Sequence, residues 1–155
     1  MCIWSFPAGV AASMPSPSEM NATPSASARA NVGYRLWIRG RADADFYGND
    51  SVFAQFSDSV DSAGTPRWLI GTTSATAYVL EDCSGCGVQG WGWNDNGYGA
   101  GVLGPLVYFA ADGEQTIRVQ TREDGPSIDQ IVLSADRYLT TAPGATKNDA
   151  TIVER

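Results

Sequence analysis

Residues 34–139 predict an all-β domain, an antiparallel β-sandwich, on three observations: short runs in which apolar and polar residues alternate, turn-forming clusters between them, and a composition rich in glycine but poor in charge. In chain order the runs are YRLWIR (34–39), VFAQF (52–56), RWLIG (67–71), TAYVLE (76–81), VQGWGW (88–93), LVYFA (106–110), QTIRVQTR (115–122) and IDQIVLS (128–134). In the first, Leu36 and Ile38 alternate with Trp37 and Arg39. In the seventh, Ile117 and Val119 alternate with Arg118, Gln120 and Arg122. A period of two places the two sets on opposite faces of a strand. SAGTP (62–66), DCSGCG (82–87), NDNGYGAG (94–101), ADGE (111–114) and EDGP (123–126) separate the runs and are built from turn formers. Strands spaced in this way predict a sandwich or jelly roll. No segment carries a helical period.

The composition agrees. With 17 glycines, 17% charged and 10% aromatic residues in 155, the chain suits short strands and tight turns around one core. Residues 1–33, rich in Ser, Ala, Pro and Met, have no hydrophobic period and are expected to be linker or poorly ordered. Residues 140–155 are expected to be a C-terminal linker. Seventeen acidic against ten basic residues give a net charge of −7, which repels phosphate backbones and anionic lipid heads. Nucleic acid and membrane surfaces are therefore not expected partners. No apolar run approaches the roughly 18 residues that span a bilayer. A secretory signal would open on a basic region, yet the first Lys or Arg is Arg29, and Met1–Ala12 is interrupted. Export, if it occurs, is expected by way of a longer parent protein.

Three cysteines leave Cys2 alone and place Cys83 and Cys86 in EDCSGCG. The chain has no His and no second cysteine pair, which disfavours zinc. A redox Cys-x-x-Cys normally opens a helix, whereas this one sits among glycines. A local 83–86 disulfide pinning a turn is one reading and a pair of free thiols the other. Closing so short a loop would contribute about 2 kcal/mol.

NDSVFAQFSD (49–58) together with TIRVQTREDGPSIDQIVLS (116–134) resembles the galactose-binding-like jelly rolls, including carbohydrate-binding modules of families six and thirty-five and the malectin-like domains. The resemblance rests on Asn49–Asp50–Ser51 before a strand, Arg122–Glu123–Asp124–Gly125 joining the last two strands, and Ile128–Asp129–Gln130–Ile131–Val132–Leu133 closing the domain, with Trp91–Gly92–Trp93 between. It covers about two-thirds of the chain. It implies a non-catalytic module of a larger extracellular or cell-surface protein that binds polysaccharide or oligosaccharide. Such modules begin with an acidic strand that helps complete a structural calcium site, and the stretch before Tyr34 has no equivalent.

A pyranose presents C–H bonds on one face and hydroxyls at its edge, so a sugar site needs a flat ring beside planar polar groups. GWGWNDNGYG (90–99) supplies Trp91, Trp93 and Tyr98 with Asn94, Asp95 and Asn96. Covering roughly 100 Å² of sugar face at about 25 cal/mol per Å² yields about 2.5 kcal/mol per ring. Association costs reduce this to micromolar or millimolar affinity overall. Trp91 and Trp93 stand two apart and can instead share the core-facing side of a strand, a reading favoured for at least one of them. Tyr98, between glycines, is the better ligand candidate. Asp95–Asn96–Gly97 can also be a plain turn.

Asp43, Asp45, Asn49 and Asp50 gather in one loop with Phe46 and Tyr47. A solvated acidic loop is the favoured reading. The alternatives are a Ca²⁺ site, with Asp43, Asp45 and Asp129 as candidate ligands, and one wall of a sugar site, with Asp50 and Tyr47 contributing. Asp129 lies in an otherwise apolar strand and must face water or bond a backbone, Arg118, Arg122 or a metal. Glu123 and Asp124 most simply form a turn. Asn21 and Asn49 head glycosylation sequons that matter only in a eukaryotic source.

The absence of His excludes Ser–His–Asp and Cys–His catalysis. A glycosidase needs only two carboxylates, for which Asp95 with Glu123 or Asp50 could serve, but no cleft is visible in the sequence. Binding therefore ranks above catalysis. A structural or adhesion sandwich is the third class.

Overall fold

The computed structural model describes residues 1–5, 25–99 and 101–154, with backbone alone for 2–5 and 25. The strands are β1 (Cys2–Ser5), β2 (Ser25–Ala28), β3 (Arg35–Arg41), β4 (Ser51–Phe56), β5 (Ser59–Val60), β6 (Thr76–Val79), β7 (Glu81–Cys83), β8 (Cys86–Gly87), β9 (Gly92–Asn94), β10 (Tyr108–Phe109), β11 (Gly113–Thr121) and β12 (Ser127–Ser134). One four-stranded antiparallel sheet runs β1-β12-β3-β9 and a second runs β2-β11-β4-β6; β5 pairs with β10 and β7 with β8. The 3-10 turn Asp43–Asp45 is the one helical segment among the described residues.

The alternation seen in the sequence sets the two inner faces. Leu36 and Ile38 of β3 stand opposite Leu133 and Ile131 of β12, while Ile117 and Val119 of β11 stand opposite Phe56 and Ala54 of β4. All eight belong to one buried cluster with Tyr34, Val52, Tyr78, Val107 and Phe109. Each fully buried aliphatic or aromatic side chain of this kind stabilises the fold by roughly 1.5–3 kcal/mol. Two antiparallel sheets sharing one core is the arrangement of a β-sandwich.

RWLIG is not a strand. The Gln55 amide nitrogen lies 3.1, 2.9 and 2.8 Å from the carbonyls of Leu69, Thr72 and Ser74, and this ties the segment into a collar. Trp68 turns into the core with φ +55°.

Two boundary expectations also need correction. Within 1–33, β1 pairs with β12, and β2 pairs with β11 through Ser25–Ala28 opposite Thr116–Gly113. Ala26 and Ala28 face the core, and side chains this small bury too little apolar surface to leave a sequence signal. Residues 6–24, including the Asn21 sequon, lie outside the described residues. The tail after 139 is packed, not a free linker. Trp37, Trp93, Val132, Tyr138 and Val153 form a second buried cluster on the outer face of the β1-β12-β3-β9 sheet.

Polar groups of that outer face hold the tail. Gln130 donates from Nε2 to the Val153 carbonyl at 3.1 Å and accepts from the Val153 N–H at 2.9 Å. Trp37 Nε1 donates to the Tyr138 carbonyl at 2.7 Å, and Arg35 Nε to the Leu139 carbonyl at 2.6 Å. Arg39, 5% exposed, donates to the Asp129 carboxylate and, from Nη2 at 2.6 Å, to the Asp149 carbonyl. The β3–β12 register shifts between Ile128 and Gln130, and this bulge sends Asp129 to the Arg39 side. Asp129 is thus partnered by an arginine outside the set its sequence context pointed to.

Removing Arg39 strands Asp129 and loosens Asp149. Arg39→Ala is expected to lower unfolding stability by about 3 kcal/mol, read from urea denaturation, whereas Arg29→Ala at an exposed position leaves it unchanged.

Candidate functional site

A cleft of about 300 Å³ opens beside β9 on the outer side of the β1-β12-β3-β9 sheet. Trp37, Trp93 and Asn94 line it from the sheet and Asp82 from the β7–β8 hairpin; Val102 and Leu103 come from the following loop, and Thr140 and Thr146 from the tail. An apolar floor with a few polar groups around it is the usual make-up of a small-ligand site.

The loop 96–104 is built on Asp95. This carboxylate, 1% exposed, accepts the N–H of Gly97 on Oδ1 and of Gly104 on Oδ2, each at 3.0 Å, so it clamps both ends of the loop. Arg35 neutralises it and also donates to the Gly104 carbonyl at 2.9 Å. The two strands of the loop lie so close that a Cβ on Gly97 would sit 1.7 Å from the Val102 carbonyl oxygen. Asn96 donates across the same neck to Thr76 Oγ1 and the Pro105 carbonyl, both at 3.2 Å. What the loop offers to solvent is apolar: Tyr98 is 73% exposed, Val102 55% and Leu103 40%. The tail passes equally close to β9, where a Cβ on Gly92 would sit 2.0 Å from the Thr146 carbonyl oxygen.

These positions separate the sequence candidates. Tyr98 is free at the surface. Trp93 is 1% exposed, with Nε1 donating to Asp149 Oδ2 at 3.1 Å, so its ring is cleft floor and not a stacking platform. Trp91 is half-buried with the guanidiniums of Arg39 and Arg41 each 5.1 Å from its ring centre. Asn94 lines the cleft and donates to the Val79 carbonyl at 2.5 Å. Asp95 borders the cleft, but its oxygens are taken up by Arg35, Gly97 and Gly104, and Asn96 is spent on the loop neck, so both serve loop architecture.

Asp50 is corrected likewise. It is 1% exposed, its Oδ2 accepts the Glu81 N–H at 2.5 Å, and Glu123 accepts the Ser51 hydroxyl at 2.5 Å beside it. Burial, with the nearby Glu123 charge adding to it, raises the Asp50 carboxyl from 3.8 to about 7. Glu123 therefore does more than shape a turn.

Tyr47 and Phe46 are half-exposed on the 42–50 loop, their rings tilted by 51° with centres 4.9 Å apart, and neither lines the cleft. Asp45 Oδ1 accepts the Gly90 N–H at 2.6 Å, while Asp43 stays exposed. Burial raises the Asp129 carboxyl, with Arg39 opposing the shift. Among the described residues no three of His, Cys, Asp and Glu gather to hold a metal ion. With Asp129 paired to Arg39 and Asp45 capping Gly90, the candidate ligands do not fit a calcium site. Cys83 and Cys86 are joined as a disulfide across the β7–β8 turn, with Cα atoms 5.2 Å apart.

Sequence reasoning missed Asp82, Trp37, Thr140 and Thr146. Asp82 was hidden inside a turn-forming cluster, and the threonines sat in a segment without hydrophobic period.

No family model, curated protein or solved structure matches this chain. Its function has therefore to be argued from the site itself.

Two outcomes follow. A carboxyl raised by folding adds stability that is complete below its ordinary value of 3.8 and is lost as pH rises to about 7. The stability of the wild type relative to Asp50→Asn is thus expected to fall between about pH 4 and 7 and to level off above, as read from thermal melts across that range. The melting temperature is expected to be the same in EDTA and in excess Ca²⁺; a fall in EDTA reversed by calcium would place an ion ligand elsewhere in the chain.

Proposed function

We propose that the chain is a non-catalytic carbohydrate-binding module with a galactose-binding-like jelly-roll fold, attached to a larger extracellular or cell-surface protein, and that the cleft beside β9 holds the glycan. The strand order supports the jelly roll. Counting only the eight strands of the two large sheets in chain order, one sheet reads first, eighth, third, sixth and the other second, seventh, fourth, fifth. Successive strands thus cross between layers, apart from the fourth and fifth, which pair in one sheet, as two nested Greek keys require.

The observation that carries the binding reading is the loop 96–104. Its ends are clamped by a buried carboxylate, Val102 and Leu103 line a cleft rimmed by hydroxyl and amide groups, and Tyr98, outside that lining and next to Gly99 within it, is exposed. A loop that holds a large apolar surface in water is otherwise a cost to the fold. A glycan suits such a surface, because a sugar's C–H face covers a phenol ring and sugar hydroxyls pair with threonine, asparagine and aspartate. The 83–86 disulfide is in keeping with an oxidising compartment.

The carboxylate pairs weighed for hydrolysis, Asp95 with Glu123 or Asp50, offer little for it. Asp95 is saturated by Arg35 and two backbone N–H groups, and Asp50 with Glu123 lies outside the cleft. The module is therefore read as a binder.

Isothermal titration against soluble plant and microbial polysaccharides tests this. Binding in the micromolar to millimolar range is expected, weakened about tenfold by Tyr98→Ala with an unchanged melting temperature. Binding that is indifferent to Tyr98→Ala would move the site off this loop, and hydrolysis of any glycan that is lost in Asp95→Asn would replace binder by enzyme.

A further inference from the structure

Four buried or half-buried carboxylates have donors inside the protein: Asp95 has Arg35, Gly97 and Gly104; Asp149 has Trp93, Ala145 and Thr151; Asp129 has Arg39 and Asp50 the Glu81 N–H, each on Oδ2 with Oδ1 left without a partner. Asp82 does not. Its Oδ1 is buried without a hydrogen-bond partner, and no donor or cation from the described residues reaches either oxygen. Yet it lines the cleft.

Its position is not that of a stray surface carboxylate. The β7–β8 register shifts between Glu81 and Cys83, which makes Asp82 the extra residue of a bulge. The disulfide of Cys83 closes one side of this bulge. On the other, Gly87 has φ +112°, and a Cβ there would lie 2.4 Å from the Leu80 carbonyl oxygen. The Val88 N–H donates to that carbonyl at 2.7 Å, and Lys147 anchors the hairpin tip through the Gly85 carbonyl at 3.0 Å. The hairpin holds a partnerless carboxylate at the cleft wall. No Arg or Lys is among the residues lining the cleft.

We propose that Asp82 is the acceptor that anchors the hydroxyls of a neutral sugar in this cleft, and that its uncompensated charge makes the cleft reject uronic acids. The inference rests on the glycan-binding reading and adds the substrate class to it. Oδ1 is sealed from solvent, so Oδ2 is the atom that takes a charge-assisted hydrogen bond from a sugar hydroxyl. A uronate brings a second negative charge into the same space with no cation to offset it. Rejection of the wrong ligand then comes from the same group that holds the right one.

The experiment titrates the full chain, as wild type, Asp82→Asn, Asp82→Ala and Tyr98→Ala, with xylan, mannan, galactan and mixed-linkage glucan as neutral probes and polygalacturonate as the acidic one, at low salt. Thermal melts confirm that each variant is folded. The wild type is expected to bind at least one neutral probe and to bind polygalacturonate at least tenfold more weakly. Asp82→Ala and Asp82→Asn should lose about tenfold or more on the neutral probe, and Asp82→Asn should gain on polygalacturonate, which a merely structural role would not produce. Neutral binding that is kept in both Asp82 variants but lost in Tyr98→Ala overturns the role of Asp82 and leaves the glycan reading standing. Wild-type binding of polygalacturonate as tight as that of the neutral probes overturns the selectivity. No binding of any probe overturns both.

Discussion

Two guanidiniums project from the same face of one strand, and most of what lies outside the core answers to them. Arg35 and Arg39 sit on the outer side of β3, both nearly sealed from water. A cation in that position is tolerated only when carboxylates and carbonyls surround it. Arg35 is met by Asp95 and by the carbonyls of Gly104 and Leu139; Arg39 by Asp129 and by the Asp149 carbonyl. These partners come from the loop after β9, the start of the tail, the bulge in β12 and the end of the tail. The charges on one strand thus specify where three separate segments must go.

The cleft is a by-product of that arrangement. Asp95 is drawn to Arg35, and once there its second set of lone pairs closes the loop 96–104. The tail is drawn across Trp37 and Trp93 toward Arg39, and its threonines become the facing wall. Neither wall needs the ligand in order to form. The aromatic floor is immobilised by hydrogen bonds from both indole nitrogens. Preorganisation of this kind lowers the ordering cost that otherwise consumes the modest energy of a sugar contact.

How legible this was in the sequence differs by layer. The inner faces of β3 and β11 could be read directly, because burial of one face imposes a period of two that local sequence records. The outer face of β3 could not. Trp37 and Arg39 alternate with Leu36 and Ile38 as solvent-facing residues would, and nothing nearby says that a segment a hundred residues later covers them. The tail attaches largely through its backbone carbonyls, and these have no sequence signature. β2 escaped notice for a related reason, since Ala26 and Ala28 contribute to a core with barely any side chain. In the site, the exposed Tyr98 followed from its flanking glycines, whereas the structural use of Asp95 depends on Arg35, sixty positions away in the chain.

The contrast between Asp95 and Asp82 shows how burial and function divide among like residues. Both carboxylates border the same cleft. One is fully provided with donors and so has nothing left for a ligand; its work is to hold the loop. The other is placed just as firmly, by a bulge, a disulfide and a glycine that no larger residue could replace, and has no donor at all. Asp50, Glu81 and Asp129 also keep one buried oxygen without a partner, but each has a donor on its other oxygen, and Asp82 has none among the described residues. The cost of leaving Asp82 unpaired makes sense if it is recovered when a hydroxyl reaches Oδ2, and in that case affinity and selectivity come from the same carboxylate.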